Sequence, residues 1–470
     1  MRSPSRWLVP ALLALLSTSR AAADEARSLD HDSALRLAAE RNAALLVASL
    51  ERGRTAAAAD AARRGYLPEV TLEAAAKESG SADQKRSAVE TLATLSYASP
   101  YGQAVTVRAA LTTGLAPARD TGRSLTIELS QALLRGGFHP GGAADLKQAD
   151  LDVRIAREQY KDRLNQLLQR VDRAYWDLAF ARDDVEIKRR SRDRARAQFE
   201  ETRENIRRGL LAPGEIYVVE ENVVNFDDVL IRAEESLLLA QSALRRLMNL
   251  PPSAPIAASS VIEVGAADDP AEAPSLGVAA AKNPALLAAR LAAERATIGI
   301  AADTRKALPQ LDVFGSFGLA SGATDDLLLG VAGSRQIRGG LRLSLPAYWG
   351  PDAARVRRAR TELLQRRGEV REAESAAETA VRDASIRLRV RRQRLTLASR
   401  LVELGQKKLD NERDKYKSGL ATLADVVRFQ RDLDNATSAA LRARVDLLTA
   451  RTELLLARGD LHEAARVVVQ

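Results

Sequence analysis

Apolar residues return at every seventh position through two long stretches of this chain. Val381, Leu388, Leu395, Val402, Leu409 and Tyr416 form one row, and Val171, Leu178, Val185, Arg192, Phe199 and Ile206 hold equivalent places earlier. A shorter row follows each: Ile216, Val223, Leu230, Leu237 and Leu244, then Val426, Leu433, Ala440, Leu447 and Leu454. A strict heptad predicts helices that supercoil left-handedly about one another. The mostly small row Phe429, Ala436, Ala443, Ala450 and Ala457 permits close helix approach. From Ala143 to Arg208 there is no Pro or Gly. At 1.5 Å per residue that stretch is about 100 Å long, deeper than any compact domain. The helices are therefore expected to lie side by side in an elongated coiled-coil hairpin or tube.

Elsewhere the period is two. Leu125, Ile127 and Leu129 alternate with Thr126, Glu128 and Ser130. Leu311, Val313, Phe317 and Leu319 are spaced by Asp312, Ser316 and Gly318, and Leu341, Leu343 and Leu345 by Arg342 and Ser344. This predicts strands with one apolar and one wet face. Alone, the pattern favours a soluble sandwich over a membrane barrel. Aromatics near the strand ends, Tyr66, Phe138, Tyr348 and Trp349, suit the interfacial girdles of a barrel.

The pattern occurs twice. "ALRLAAERNAALLVASL" (34–50) returns as "SLGVAAAKNPALLAARL" (275–291), pairing Asn42 with Asn283 and Leu67-Pro68 with Leu308-Pro309. "TIELSQALLRGG" (126–137) matches "GLRLSLPAYWG" (340–350), and "RRGLLAPGEIYVVEENV" (207–223) matches "KSGLATLADVVRFQRDL" (417–433). The offset falls from 241 to 214 between the first two pairs, so the first copy holds about 27 extra residues within 85–117. These read as a hairpin turning at Ser99–Gly102, taken as an extracellular extension in preference to two more wall strands. The expected organisation is a first repeat over 24–250, a linker over 251–272 and a second repeat over 273–470. Strands are expected within 66–137 and 307–349, and helices at 34–64, 143–207, 214–249, 275–306, 352–416 and 422–458.

Composition sharpens this. With 46% apolar residues but only 18 aromatics among 470, the chain is built for helix bundles. "MRSPSRWLVPALLALLSTSRAAA" (1–23) has early arginines, an apolar run and an A-x-A site, the form of an export signal. Removing it leaves 68 basic against 62 acidic residues, about +6. The chain has no cysteine, hence no disulfide, thiolate metal site or N-terminal Cys lipidation. No later apolar run reaches 18 residues, so no transmembrane helix is expected, although barrel strands would escape such a scan.

Other motifs reduce to structure. The basic runs at 188–198 and 387–394 lie on exported helices that also carry many acids, which reads as a solvated face rather than a nucleic-acid site. "RGGFHPGG" (135–142) reads as a strand-to-helix bend with Pro at a helix start, not a phosphate loop. His31, His139 and His462 are scattered, with no catalytic or metal constellation around them. No enzyme activity, metal or cofactor is expected.

Taken in order, the export signal, the twice-repeated helix-strand-strand-helix-helix unit, the Leu-Pro entering each first strand, the "LSQALLRGG" and "LSLPAYWG" exits and the "GL" breaks resemble the outer membrane efflux protein family, the TolC-like channels. The resemblance spans nearly all of the chain after the signal. It implies a mainly α fold with a small membrane β-barrel: a homotrimer in outer membrane lipid, with four strands per subunit in one barrel, or six if the extra segment joins the wall, and a helical barrel in the periplasm. It implies a passive exit duct of a tripartite efflux or type I secretion system, opened by a periplasmic adaptor (membrane fusion) protein and served indirectly by an inner-membrane RND or ABC pump.

It also implies roles for the two helix-to-helix turns at 206–215 and 416–425. Gly209, Leu210, Gly419 and Leu420 would be the adaptor-docking tips. Asp425, with Glu215 its counterpart, would line the periplasmic gate as an acidic ring. Arg428 stands where the family can carry a second acidic residue, and it departs from that pattern. An Asp425–Arg428 pair between neighbouring subunits, or the Tyr416 hydroxyl, is a candidate latch. The alternative is a soluble periplasmic coiled-coil adaptor, though adaptors carry one hairpin between lipoyl-like β-rich halves, whereas here the hairpin occurs twice.

Overall fold

The computed structural model describes residues 27–81, 84–115, 121–135, 137, 143–263, 282–321, 334–345 and 350–466. The export signal, Phe138, His139, Tyr348 and Trp349 lie outside them. Strand β1 is Arg27–Leu29, followed by helices α1 (His31–Arg41) and α2 (Ala43–Arg64). Four strands come next, β2 (Glu69–Ser81), β3 (Gln84–Ala98), β4 (Gln103–Gly114) and β5 (Thr121–Ala132). Then follow α3 (Ala144–Arg207), α4 (Glu215–Leu247), β6 (Ile256–Ala258) and α5 (Pro284–Lys306). The chain ends with β7 (Gln310–Ser321), β8 (Ser334–Ser344), α6 (Gly350–Lys417), α7 (Leu423–Arg458) and the single turn α8 (Leu461–Ala464).

These fall into two compact units, one drawn from 1–46, 163–279 and 380–470, the other from 47–162 and 280–379. The first is helical. Val185, Leu230 and Ala233, with Leu237 against them, knit α3 to α4. Val381, Ala384 and Leu388 pack on Leu447, Ala450, Leu454 and Ala457, joining α6 to α7. Most of these residues come from the heptad rows and the small row of the sequence. Gly405 of α6 faces Leu433 of α7, where a Cβ would stand 3.3 Å from Leu433 Cδ1. Polar pairs tie α3 to α7: Arg194 to Asp434 at 2.7 Å, Arg442 to Asp177 at 2.6 Å, and Ser438 to both Asp184 (2.6 Å) and Lys188 (2.8 Å).

The structure differs from the sequence reading at two points here. The helix expected over 34–64 breaks at Asn42, whose backbone is extended (φ −66°, ψ 122°). Its Oδ1 accepts from the amides of Ala44 and Leu45, and Asn283 does the same for Ala285 and Leu286 at the start of α5. The paired asparagines are thus N-caps, satisfying amides a new helix leaves orphaned. The supposed linker also contains β6, which pairs in parallel with β1. Tyr175 clamps this pair, donating to Leu29 O at 2.9 Å and lying 2.6 Å from Ser260 Oγ.

Beside that clamp His31 Nε2 lies 2.8 Å from Asp172 Oδ1, and the His31 ring stacks on Trp176. Burial pushes the imidazolium down, but the hydrogen bond and charge of Asp172, with a smaller share from Asp32, hold its pKa above the ordinary value. A raised folded pKa means the stabilisation is full below the unfolded value of about 6.5 and is lost as pH rises through the folded one. The thermal midpoint of His31→Gln should fall below wild type most at pH 6, with the gap narrowing by pH 9. A pH-independent gap would show that the pair contributes no charge.

The second unit carries one antiparallel sheet in the order β2-β3-β4-β5-β7-β8. The segment read from sequence as an extracellular extension is instead β3 and β4, lying alongside β2 and β5 in continuous register. A two-strand hairpin standing free in water is marginal. Flanked by paired neighbours, its backbone groups are satisfied on both sides.

Candidate channel wall and tip

The register sorts the sheet's side chains into two faces. Val70 pairs with Leu95, Leu95 with Val107 and Val107 with Ile127. Ile127 pairs with Phe317, which pairs with Ile337. This apolar face runs unbroken across all six strands, with Leu72, Ile337 and Leu341 respectively 76%, 82% and 69% exposed. An exposed apolar band of that extent is far beyond what a water-facing surface carries. Along β5 it is bounded by Arg123 at one end and Gln131 at the other. Eight residues of tilted strand rise about 20 Å, close to the height of a barrel's lipid-facing belt. Tyr97 and Tyr101 stand exposed near the Gln131 end, where an aromatic girdle belongs.

The opposite face is polar. Thr71 pairs with Thr94, Thr94 with Arg108, and Arg108 with Thr126. Lys77 and Glu90 form an ion pair across β2 and β3. Arg342 lies 3.9 Å from Glu128 and its guanidinium sits 4.9 Å over the Phe314 ring. Mixed charge suits a water-filled lumen that favours neither sign strongly.

The two helix reversals share one stop. Gly209 (φ +76°) and Gly419 (φ +73°) take the left-handed conformation. Leu210 N–H donates to Asn205 O at 2.9 Å, and Leu420 N–H to Lys415 O at 2.8 Å. Gly209 N–H reaches Ile206 O and Gly419 N–H reaches Tyr416 O, completing the bond pair that closes a helix C-terminus on glycine. Each reversal then presents a leucine to solvent, Leu210 at 68% and Leu420 at 79% exposure.

The restarts differ. Thr422 is the N-cap of α7: its Oγ1 accepts from Asp425 N at 3.2 Å, while the Asp425 carboxylate accepts from Thr422 N and, at 2.6 Å, from Thr422 Oγ1. Arg428 also reaches Asp425, at 3.3 Å within the same chain, and stacks over Phe429. Those hydrogen bonds, helped by the charges of Arg428 and Lys415, hold the Asp425 carboxyl below its usual range. Within one chain, Asp425 thus already has a partner a single helical turn away. At the other reversal Gly214 precedes α4 and gives no side-chain cap. Glu215 nevertheless sits near the second tip: burial first, then the charges of Glu215 and Glu201, push the Tyr416 phenol up. The capping box was signalled by Thr-x-x-Asp at 422–425, a pattern the sequence reading passed over.

A model of the outer membrane efflux protein family matches residues 34–250 and 276–460. The chain belongs to that family. It is an outer-membrane efflux or secretion channel, located in the outer membrane, and not an enzyme. Protein CyaE of Bordetella pertussis is 25% identical over 330 residues, 68% of this chain and 67% of that protein. Among solved structures, the Campylobacter jejuni CmeC outer membrane channel superposes with a TM-score of 0.70 at 14% identity, covering 92% of this chain and 86% of that one. The open state of the Neisseria gonorrhoeae MtrE outer membrane channel gives 0.69 at 18% identity, covering 91% and 88%. The fold of this channel is thus shared with proteins of very different sequence.

Removing the α7 cap isolates its role. Thr422→Ala should cost the helix start about 1 kcal/mol. Amide exchange at 423–426 should quicken several-fold while 440–457 is unchanged. Uniform protection would mean Asp425 caps unaided.

Proposed function

We propose that three copies of this chain, exported by the signal at 1–23, close head to tail into a passive exit duct. Its strands form one barrel in the outer membrane and its helices a tube in the periplasm. The observation that carries this is the pair of sheet edges, β2 and β8, that have no further strand beside them among the described residues. An edge strand in lipid strands a row of backbone amides and carbonyls at several kcal/mol each. Only a neighbour's edge can satisfy β2 and β8, and the two run in opposite directions, as antiparallel closure requires.

The helices support the same ring. Tyr217, Val224, Ile231 and Leu238 make a second heptad row on α4, each 63–72% exposed. Val390, Leu397 and Leu404 make another on α6, also exposed. Seven-residue spacing is the grammar of a coiled-coil seam. A second copy offers what each row lacks, α4 of one subunit meeting α6 of the next.

At the reversals, Gly209, Leu210, Gly419 and Leu420 would dock the helical hairpin of a periplasmic adaptor, through which an inner-membrane pump drives export. Asp425 and Glu215 would line the gate with Tyr416 nearby, and opening would part the tips. Because Asp425 is bound by Thr422 and Arg428, the acidic ring is partly neutralised. A weak cation preference follows.

Detergent-extracted outer membranes should yield a heat-resistant trimer, and recovery as a soluble monomer would overturn the reading. In planar bilayers, Asp425→Ala should lower cation preference and Arg428→Ala should raise it. Two variants indistinguishable from wild type would remove both residues from the gate. Leu210→Asp with Leu420→Asp should abolish export in cells while leaving the trimer intact.

A further inference from the structure

We infer that the membrane barrel of this channel has eighteen strands, because β3 and β4 are wall strands in every chain, and that its lumen is correspondingly wide, about 26 Å across. This rests on the three-fold ring proposed above, and on three observations about residues 84–114.

The pairing comes first. β3 is in register with β2 along its length, from Glu69 opposite Ser96 to Ser81 opposite Gln84, and β4 with β5 from Gln103 opposite Gln131 to Thr113 opposite Thr121. A projecting hairpin would instead leave β2 and β5 to pair with each other.

The second is the turn. Gly102 (φ +81°) closes it, with Gly102 N–H on Ser99 O at 3.1 Å. Ala132 N–H donates to Gly102 O at 2.8 Å, and Gln131 Nε2 to Tyr101 O at 3.2 Å. The turn therefore lies against the end of β5 from which the chain leaves toward α3. An extracellular extension would turn beyond the opposite end, past Ser81 and Thr121.

The third is chemistry. Val105, Val107 and Leu111 of β4 continue the apolar face, while Thr106, Arg108 and Thr112 continue the polar one. A loop in water has no reason to keep that alternation in phase with its neighbours. A wall strand between lipid and lumen must.

Strands about 4.8 Å apart and tilted about 40° give a backbone diameter of about 36 Å for eighteen strands and about 24 Å for twelve. Inward side chains occupy about 5 Å on each side, leaving a lumen of about 26 Å against about 14 Å. A helix with its side chains is about 10–12 Å across. The wider lumen passes a helical hairpin, the narrower a single helix.

The chain has no cysteine, so single substitutions report without background. In intact trimers in outer-membrane vesicles, Thr106→Cys and Arg108→Cys should react with a membrane-impermeant maleimide at least tenfold faster than Val105→Cys and Val107→Cys. Thr126→Cys and Ile127→Cys on β5 are the control. Alternation on β5 without alternation on β4 overturns the eighteen-stranded wall and leaves the channel reading standing. Loss of alternation on both strands sinks the channel reading itself. For the width, polyethylene glycol of about 10 Å radius added on the barrel side of a planar bilayer should enter and lower wild-type conductance. Its exclusion would overturn the wide lumen.

Discussion

A backbone amide has no water to bond to in the middle of a membrane, and that constraint governs this chain. It forbids an open sheet in lipid, and the six-stranded sheet has no strand beyond β2 or β8 among the described residues. The alternation of apolar and polar residues decides which face meets lipid. The β2 and β8 edges, which carry no further strand among the described residues, are the ground for the ring of copies proposed above. The helical unit obeys a softer version of the same rule, since exposed heptad rows on α4 and α6 cost solvent-exposed apolar area rather than broken hydrogen bonds.

Much of this was legible along the sequence because the signals are periodic and local. Heptads at Val381–Tyr416 and Val426–Leu454 predict the helices that pack through Leu388, Leu447 and Leu454. The asparagine matched at 42 and 283 turned out to cap a helix in both places. The fate of 84–114 was not legible, for physical reasons. Small residues dilute the alternation of β2 and β3, where Ala74, Ala75 and Ala76 face Thr91, Glu90 and Val89. Which end of the sheet the Ser99–Gly102 turn occupies depends on a bond to Ala132, thirty residues away. At the tip the glycines announce themselves, and Arg428 lies at the three-residue spacing from Asp425 that a helix brings together within one chain.

The two reversals illustrate how duplicated segments diverge. Both stop their long helix with the same glycine and the same pair of backbone bonds, because few residues tolerate that conformation. Their restarts share no such restriction. One uses a threonine–aspartate box, the other Pro213 and Gly214 without a side-chain cap. The stop is set by backbone geometry, and the start is left free to be tuned for rigidity or charge.

The direction of travel along the strands has a further consequence. Every chain enters the sheet from a helix and must return to a helix at the same end, so strands can be added or lost only in pairs. In the ring of three proposed above, the wall would change by six strands at a time. On that proposal channel width is quantised: one inserted hairpin such as 84–114 would move a whole assembly from one size class to the next, while every helix keeps its direction.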